Sequence, residues 1–434
     1  MKTNTTVSIR YLGGQQFYGL EKHEKQITAP KIKVGDSVFV DNKNEIKLIK
    51  EINYGGEGTI FETDKKGVVC KIYNDQSRTN IKELKLRKII DSQLNLQGFC
   101  FVQAVVFSAN DKFVGFLMPL AKGQKLGKLF NPKKEVLSDF SNYTRVDLVQ
   151  LCITILEKIK LLHSYNILIG DINDNNFLFA SPTEVYGLDT DSYQIDKFPC
   201  PVGSPGYISP ELMQKKGKDS SGHPIEGFKY FFREWNDEFF AIAVLLFKIL
   251  MLGNRPYTKA NSNLSADELS LRYDFPYTMD SISTNQNFHP DHRCKNIWSY
   301  FPNYIKKAFI DSFTGINKNN RLSPSDWLSK FTLYKKHLMN EITQIDRHCL
   351  LLYPNNFIDY KKLDSVNAKV DFTHKAFNLS LCLQKSLPLL NDQERLTLIA
   401  TLEKDGKFDC QQYSIKLIEN RGIWKTVTGS VIIA

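Results

Sequence analysis

The most informative part of the sequence is GDINDNNFLF, residues 170–179, which is followed by LDTD at residues 188–191. Asp171 is an acid that can accept a hydroxyl proton, Asn176 stands five residues later, and Asp189 follows Asn176 by thirteen residues. One base and two oxygen ligands at this spacing are what phosphoryl transfer with Mg²⁺ requires. We therefore expect a phosphotransfer site around Asp171.

The flanking segments indicate where these residues lie. Apolar residues recur at helical spacing between Leu151 and His163, which predicts a helix that ends shortly before the motif. Residues 176–179 and 184–188 are typical of two short strands around the turn ASPT. The metal ligands should then lie at strand edges that face one loop.

Composition limits the function classes. The 434 residues are 42% hydrophobic, which is enough to bury a large core. Lys and Arg exceed Asp and Glu by 57 to 47, but no run of five like charges occurs, which argues against a nucleic-acid partner. The sequence contains no apolar signal region at its start and no stretch of eighteen apolar residues, so we expect no membrane partner.

The eight cysteines are widely spaced and form no Cys-x-x-Cys pair. This usage predicts reduced, mostly buried thiols and a cytoplasmic protein, with delivery into another cell as an effector left open.

The pattern along the chain changes from strands to helices. Short alternating segments at 7–11, 31–34 and 37–40 predict a small N-terminal β extension, and residues 45–118 are strand-rich. One helix is expected at about 81–92, with Ile81, Leu84 and Ile89 on its apolar face. Helical periodicity dominates from about 144 to 334, and the segment 238–252 is apolar nearly all round. In the last hundred residues, the sequence pattern predicts a polar helix near 335–348, an apolar helix near 376–390 and a strand at 428–434.

A glycine-rich run and a lysine in an apolar strand are further indications of a phosphate-binding site. Residues 52–61 read INYGGEGTIF, and their glycines can bring backbone N–H groups close to phosphate oxygens, although a Gly-Gly pair also suits an ordinary hairpin. Lys71 lies in the apolar strand VVCKIY, where an unpaired ammonium would cost several kcal/mol. The phosphates of ATP and a helix carboxylate are the expected partners of Lys71, and Glu83 is the best candidate for that carboxylate.

In their order, these motifs resemble the eukaryotic-type protein kinase family, in a divergent bacterial branch associated with tellurium-resistance and phage-defence gene clusters. The resemblance covers about residues 45–335. It implies an α+β, two-lobed protein-kinase-like fold with a β-rich N-lobe at 45–118 and a helical C-lobe at 124–335. A small N-terminal β extension at 1–44 and a C-terminal α/β appendage at 336–434 would flank this domain.

The resemblance also implies a role for each matching residue. Asp171 would be the catalytic base, Lys71 would bind the α- and β-phosphates, and Glu83 would pair with Lys71. The implied nucleotide-binding residues are Asn53, Gly55, Gly56, Gly58 and Lys71, with Pro119 and Ala121 in the hinge between lobes. The implied metal ligands are Asn176 and Asp189, with Asp191 as a candidate second ligand. The implied cofactors are ATP and Mg²⁺, with Mn²⁺ as an alternative.

Further matches lie downstream. Ser209-Pro210-Glu211 is similar to the motif that closes the activation segment, and Arg321 is placed like the arginine that pairs with its glutamate. Asp237 resembles the buried aspartate that begins the central helix. We interpret His163 as a structural hydrogen-bonding residue.

The sequence departs from the family pattern at several positions beside the expected chemistry. Asn53 replaces the first glycine of the phosphate loop, and Gly170 replaces an arginine that receives an activation-loop phosphate in many kinases. Asn173 stands where a lysine usually neutralises the transferring phosphate, a loss of about 2–4 kcal/mol by analogy with other transition-state donors. Asp-Thr-Asp at 189–191 replaces Asp-Phe-Gly.

The functional prediction is an ATP- and Mg²⁺-dependent serine/threonine-protein kinase that also phosphorylates itself. Two alternatives stay open, a nucleotide-binding pseudokinase scaffold and a small-molecule kinase. The sequence does not identify the substrate protein, and residues 336–434 are candidates for a partner-binding or autoinhibitory role.

Overall fold

The structure, a computed structural model, describes residues 24–40, 44–94, 96–130, 143–214, 217–218, 224–225, 232–259, 262–279, 292–340, 352, 407–410, 415–420 and 423–426. The chain divides into two compact units, Met1–Lys336 and His337–Ala434. The protein combines strands and helices, as the sequence predicts. The predicted domain boundaries themselves stay predictions.

A closed antiparallel barrel forms the first part of the larger unit. Its strands are β1 Ser37–Val40, β2 Asn44–Tyr54, β3 Gly58–Thr63, β4 Val68–Tyr73, β5 Ala104–Phe107 and β6 Phe113–Pro119. Their order around the barrel is β1-β2-β3-β4-β6-β5, and β5 pairs with β1 through Val106 and Phe107. Closure leaves no unpaired sheet edge, and the enclosed core contains Val38, Leu48 and Val114.

The N-terminal strands agree only in part with those that the sequence predicts. Strand β1 comes from the predicted N-terminal extension, yet it pairs with β2 and β5 and completes the barrel. The predicted strand at 31–34 is wrong, because this segment forms a loop and a turn. The predicted strand at 7–11 lies outside the described residues.

Helix α1, Asn80–Asp91, follows β4 and is the element whose orientation matters most for the site. The side chain of Thr79 caps it by accepting a hydrogen bond from the Lys82 N–H. Its buried residues are Lys82, Lys85, Leu86 and Ile89. The predicted apolar face is therefore wrong at Leu84, which is 51% exposed, while two lysines point inward.

The second part of the larger unit is mainly helical. Its elements are β7 Gln124–Lys125, a 3₁₀ helix Leu126–Phe130, α2 Arg145–Ser164, β8 Phe177–Ser181, β9 Glu184–Gly187, α3 Pro210–Gln214, β10 Gly217–Lys218, β11 Pro224–Ile225, α4 Trp235–Leu250, α5 Ala266–Leu271, α6 His292–Ser299, α7 Asn303–Phe313 and α8 Pro324–Asn340. Strands β7, β8 and β9 form a small sheet that carries the predicted catalytic loop at one end.

Helix α4 is the central element of this helical part. It is buried along nearly its whole length, as the apolar pattern predicts, and it packs against α2 and α7. Phe247 on α4 contacts an aromatic cluster that includes Phe275, Trp298 and Phe309. This packing gives α4 a rigid position from which it can hold the catalytic loop.

In the smaller unit, strands β12 Lys407–Cys410, β13 Ile415–Asn420 and β14 Ile423–Thr426 form an antiparallel sheet in sequence order. The predicted helix near 376–390 and the predicted strand at 428–434 lie outside the described residues.

The described residues allow the predictions about membrane-spanning segments and buried thiols to be compared with the structure. Within the described ranges, no helix combines the length and apolar character that a membrane span needs. The free cysteines with described surroundings are all buried, at positions 70, 100, 152, 200 and 294.

Candidate functional site

A carboxylate on the central helix holds the backbone of the predicted catalytic loop. The N–H groups of Ile169 and Gly170 each donate to the carboxylate of Glu238 at 2.8 Å, and His163 Nε2 lies 3.2 Å from the same group. Glu238 is almost completely buried on α4. These contacts fix the residue that follows, Asp171, relative to the helical core.

Asp237 is buried in the first turn of α4, as the resemblance implies. It accepts hydrogen bonds from the Ser209 hydroxyl at 2.5 Å and from the Glu234 N–H at 3.0 Å. It therefore holds the end of the activation-segment motif, while its neighbour Glu238 faces the catalytic loop. The structural interpretation of His163 is confirmed by its contact with Glu238 and its edge-on packing against Trp235.

Asp171 and Asn176 lie together in the loop. Asn176 Nδ2 donates to the Asp171 carbonyl at 2.8 Å and to Asp171 Oδ2 at 3.2 Å. Asp171 Oδ1 is buried and has no hydrogen-bond partner among the described residues. A buried carboxylate oxygen without a partner is costly unless another group uses it, so this atom is well suited to accept a substrate hydroxyl.

Asn173 and Asp174 tie the loop to the segment around residue 205. Asn173 Nδ2 donates to the Ser204 hydroxyl at 2.9 Å and to the Asp171 carbonyl at 3.2 Å. Asp174 accepts from the Tyr207 hydroxyl at 2.6 Å and from Lys248 Nζ at 2.7 Å. Burial raises the pKa of Asp174, but these two partners outweigh it and hold that pKa below its ordinary value.

Gly170 makes room for an arginine from another element. Its φ of +74° is in the left-handed region, and a Cβ atom there would lie 2.4 Å from Arg233 Nη1 and from Cys200 Cβ. Arg233 donates through its guanidinium to the Val202 carbonyl. The position that usually carries an arginine thus has a glycine, and a buried arginine that precedes α4 contacts the same region.

The predicted phosphate loop is a tight hairpin between β2 and β3. Gly55 and Gly58 exchange backbone hydrogen bonds at 2.9 and 3.3 Å, which leaves Gly56 and Glu57 at the tip. Asn74 secures the tip through its side chain to the Gly56 carbonyl at 2.6 Å and its N–H to the Glu57 carbonyl at 2.9 Å. Asn53 lies at the end of β2 opposite Ile60.

Gly58 is the glycine that packing requires in this hairpin. A Cβ atom there would lie 2.1 Å from the Ile72 carbonyl oxygen, whereas at Gly56 it would meet nothing within 4 Å. The backbones of β3 and β4 therefore approach each other closely beside Lys71.

Lys71 lies at the centre of a cluster of charged side chains. Its Nζ is 3.1 Å from both oxygens of Asp191, 3.5 Å from Asp189 Oδ1 and 3.4 Å from Glu57 Oε2. Lys71 belongs to the barrel, whereas both aspartates follow β9 in the helical part. The cluster therefore brings together groups that are about 120 residues apart in the chain.

The predicted pair between Lys71 and Glu83 is wrong in this structure. Glu83 Oε1 instead accepts hydrogen bonds from Arg87 Nη2 at 2.8 Å and from Arg87 Nε at 3.0 Å. Residue 82, not residue 83, is on the inward face of α1, and it is a lysine. Asp191 takes the place expected for the helix carboxylate.

Burial and charge act in opposite directions on the groups of this cluster. Burial would lower the pKa of Lys71, but Asp191, Asp189 and Glu57 raise it well above its ordinary value. Burial would raise the pKa of Asp191, yet Lys71 and Lys82 hold it well below its usual range. For Asp189, partial desolvation within the cluster and the nearby Asp191 outweigh the attraction of Lys71, so its pKa is raised although its side chain is partly exposed.

These environments separate the two candidate metal ligands of the Asp-Thr-Asp motif. The Asp191 side chain is 0% exposed and binds Lys71, Lys82 and the Tyr73 hydroxyl, so it does not fit the predicted metal role. The Asp189 side chain is 45% exposed, and Asn176 turns its amide nitrogen toward Asp171, which leaves the amide oxygen for another partner. Oxygen ligands of this kind suit Mg²⁺, so Asn176 and Asp189 fit the ion that the sequence implies.

The predicted hinge residues connect the barrel to the helical part. Pro119 ends β6, and Ala121 lies between β6 and β7. The Leu120 N–H donates to the Gly67 carbonyl at 2.9 Å, so this connection is anchored to the turn before β4.

The predicted pair between Glu211 and Arg321 is confirmed. Arg321 Nη2 lies 2.9 and 3.1 Å from the two oxygens of Glu211, and the Tyr273 hydroxyl donates to the same carboxylate at 2.6 Å. Burial raises the pKa of Glu211, but these donors outweigh it and lower that pKa overall. The pair joins the end of the activation-segment motif to the loop before α8.

Comparison with known proteins agrees with this arrangement. The chain is 25% identical over 299 residues to protein kinase YegI of Escherichia coli (strain K12), a match that covers 65% of this chain and 43% of that protein. The YegI protein of Escherichia coli O157:H7 is 25% identical over 328 residues, covering 71% of this chain and 47% of its own length. These similarities support the resemblance of the chain to a divergent bacterial branch of the protein kinase family.

A shorter match extends the similarity to kinases of plants. Calcium-dependent protein kinase 24 of Oryza sativa subsp. japonica is 34% identical over 110 residues, which is 24% of this chain and 20% of that protein. No family model matches the chain. The chain spans less than half the length of the YegI kinases that it matches.

Sequence reasoning missed several residues that shape the site. Glu57, Lys82 and Glu238 each make charged contacts there, and Tyr73 donates to Asp191 at 2.6 Å. The signal that could have found Lys82 is its spacing of seven residues from Ile89, which places the two on one helical face.

Proposed function

We propose that this kinase-family protein transfers the γ-phosphoryl group of ATP to serine or threonine hydroxyls of proteins, including its own, in an Mg²⁺-dependent reaction. The observation that carries the proposal is the convergence of Lys71 from β4 with Asp189 and Asp191, which follow β9, within 3.5 Å. Such a junction brings a phosphate-binding cation and a metal-binding carboxylate to one point, as phosphoryl transfer requires. In this proposal the barrel and the helical part act as the two lobes of a kinase.

Asp171 would orient the acceptor hydroxyl and accept its proton through the buried oxygen that has no partner among the described residues. Glu238 would keep the loop in place through the backbone of Ile169 and Gly170. Mg²⁺ held by Asn176 and Asp189 would supply positive charge to the transferring group. The glycine hairpin, Pro119 and Ala121 would surround the rest of the nucleotide.

Support for a protein hydroxyl as acceptor comes from the activation-segment region. The Ser204 hydroxyl lies 2.9 Å from Asn173, beside Asp171, so a serine side chain can reach the catalytic loop. The Glu211–Arg321 pair fixes the end of that segment, which favours a protein substrate over a metabolite.

Two observations favour a second candidate, a nucleotide-binding pseudokinase. Asn173 supplies no positive charge, and the Glu57 carboxylate contacts both lysines of the region where phosphates are expected. A scaffold of this kind would bind nucleotide without transferring phosphate.

The deciding experiment incubates the purified chain and a mixture of acceptor proteins with γ-labelled ATP and Mg²⁺. We expect label in the protein fraction for wild type and for Glu83→Gln, and no label for Lys71→Met or Asp171→Asn. ATP binding without any label would establish the pseudokinase instead, and label only in soluble metabolites would establish a small-molecule kinase. Full activity of both Lys71→Met and Asp171→Asn would refute the proposed site.

Two broader proposals accompany this one. The buried free thiols support a reducing, cytoplasmic setting. For residues 336–434 we propose a partner-binding or autoinhibitory role. A truncation after Asn340, which keeps α8 intact, should raise activity if this region inhibits, and unchanged activity would exclude inhibition.

A further inference from the structure

Two lysines from different elements share the same carboxylates beside the glycine hairpin. Lys71 comes from β4 and Lys82 from the inward face of α1. Glu57 joins them, with Oε1 2.9 Å from Lys82 Nζ and Oε2 3.4 Å from Lys71 Nζ. Asp191 Oδ2 lies 3.1 Å from Lys71 Nζ and 3.7 Å from Lys82 Nζ.

The two shared carboxylates differ in how firmly they are held. The side chain of Asp191 is completely buried and also accepts the Tyr73 hydroxyl at 2.6 Å, so it is a fixed part of the core. Glu57 is partly exposed at the tip of a hairpin, between Gly56 and Gly58. Glu57 is therefore the partner that another anion can replace with little rearrangement.

Lys82 needs an anion whenever Glu57 moves away. Its side chain is only 10% exposed, and an ammonium that is buried without a full counter-charge costs several kcal/mol. Asp191 is 3.7 Å away and already shared with Lys71, so it offers Lys82 only part of a counter-charge. A phosphate group beside Lys71 would supply the remainder.

We propose that Lys82 is a second phosphate-binding cation for the triphosphate of the nucleotide, and that Glu57 is a built-in carboxylate which this triphosphate displaces. The inference rests on the proposed function. It accounts for Asn173, because Lys82 adds from α1 a positive charge that the catalytic loop does not provide.

Nucleotide binding to the full chain tests this inference with one matched pair of variants. Isothermal titration with ATP should show about a tenfold weaker affinity for Lys82→Met than for wild type, the equivalent of one charge-assisted contact. The affinity for adenosine, which has no phosphate, should not change. Lys88→Met is the control, because Lys88 lies on the same helix and pairs with Asp196 at 3.5 Å.

Glu57→Gln should change ATP affinity in the opposite direction. Removing the competing carboxylate should strengthen ATP binding about three- to tenfold and leave adenosine binding unchanged. A purely structural Glu57–Lys82 ion pair predicts instead that both variants lose stability and that neither changes the ATP affinity. That result would overturn the inference.

Three further outcomes are decisive. If Lys82→Met fails to bind adenosine and is therefore misfolded, Lys82→Arg should retain ATP affinity and Glu57→Gln should still raise it; weaker ATP binding by Glu57→Gln would refute the inference. Wild type that binds no nucleotide would overturn the proposed function together with the inference. Wild type that binds ATP no better than a folded Lys82→Met protein would overturn the inference alone.

Discussion

Replacing Glu238 with glutamine should destabilise the protein by about 2–4 kcal/mol, since the carboxylate holds one buried and one partly buried backbone N–H group. Each N–H donates to a charged oxygen at 2.8 Å, an interaction worth about 1.5–3 kcal/mol. Glutamine keeps one acceptor oxygen but turns an NH₂ group toward the second N–H, which leaves that donor unsatisfied. Part of this loss of stability is offset, because the variant no longer buries the charge of Glu238.

Urea denaturation followed by tryptophan fluorescence measures this effect, with Glu83→Gln as the chemically matched control. Glu83 makes a partly exposed pair with Arg87 one turn away on α1, so its replacement should cost no more than about 0.5 kcal/mol. Under conditions where Glu238→Gln stays folded, its phosphotransfer should also be slower because Asp171 is less firmly held. A midpoint for Glu238→Gln that matches the Glu83→Gln control would refute the anchoring role.

Three further predictions concern stability. Arg321→Met should lower the free energy of unfolding by about 2–3 kcal/mol, because the half-buried Glu211 loses its ionic partner; an unchanged melting temperature would contradict this. Asp174 has a pKa below its ordinary 3.8, so its stabilising contribution is present above about pH 4 and is lost as the pH falls further. The melting-temperature difference between wild type and Asp174→Asn should therefore be the same at about pH 6 and pH 5 and shrink as the pH is lowered below about 4, and a constant difference would argue against the linkage. Gly58→Ala should cost about 1–3 kcal/mol because its Cβ would meet a carbonyl oxygen at 2.1 Å, whereas the Gly56→Ala control should be nearly neutral; equal effects would refute the packing argument.

The sequence predicted the elements around the site well because their signals are local. The helix expected at about 81–92 is Asn80–Asp91, and the one expected at 238–252 is Trp235–Leu250. Asp171 and Asn176 are brought together as their spacing indicates. Strong apolar periodicity and turn residues were sufficient for these features.

Long-range electrostatics could not be predicted from the local pattern. An apolar face on α1 was expected to include Leu84, but Lys82 lies on the inward face and pairs with Glu57 of the hairpin and with Asp191 of a distant loop. The rotation of the helix therefore follows from charge that only the folded chain brings near. Neither periodicity nor composition contains that information.

Neighbouring carboxylates posed a similar problem. Asp237 and Glu238 both lie in the first turn of α4, and only the packing of that helix shows which one faces the catalytic loop. For the two aspartates of Asp-Thr-Asp, the spacing from Asn176 favoured Asp189 as the metal ligand. Only the structure shows that Asp191 is buried against two lysines and Tyr73.

The rate of phosphoryl transfer from ATP to protein by Asp171→Asn, compared with wild type in a single turnover at saturating ATP, tests the central claim most directly. A positioned general base contributes about 10²–10⁴ to the rate, so we predict a loss of at least about a hundredfold. Asparagine preserves the size of the side chain, and ATP affinity should stay within about threefold of wild type because the lysine cluster is intact. A transfer rate for Asp171→Asn close to that of wild type would contradict the assignment of this loop as the site of chemistry.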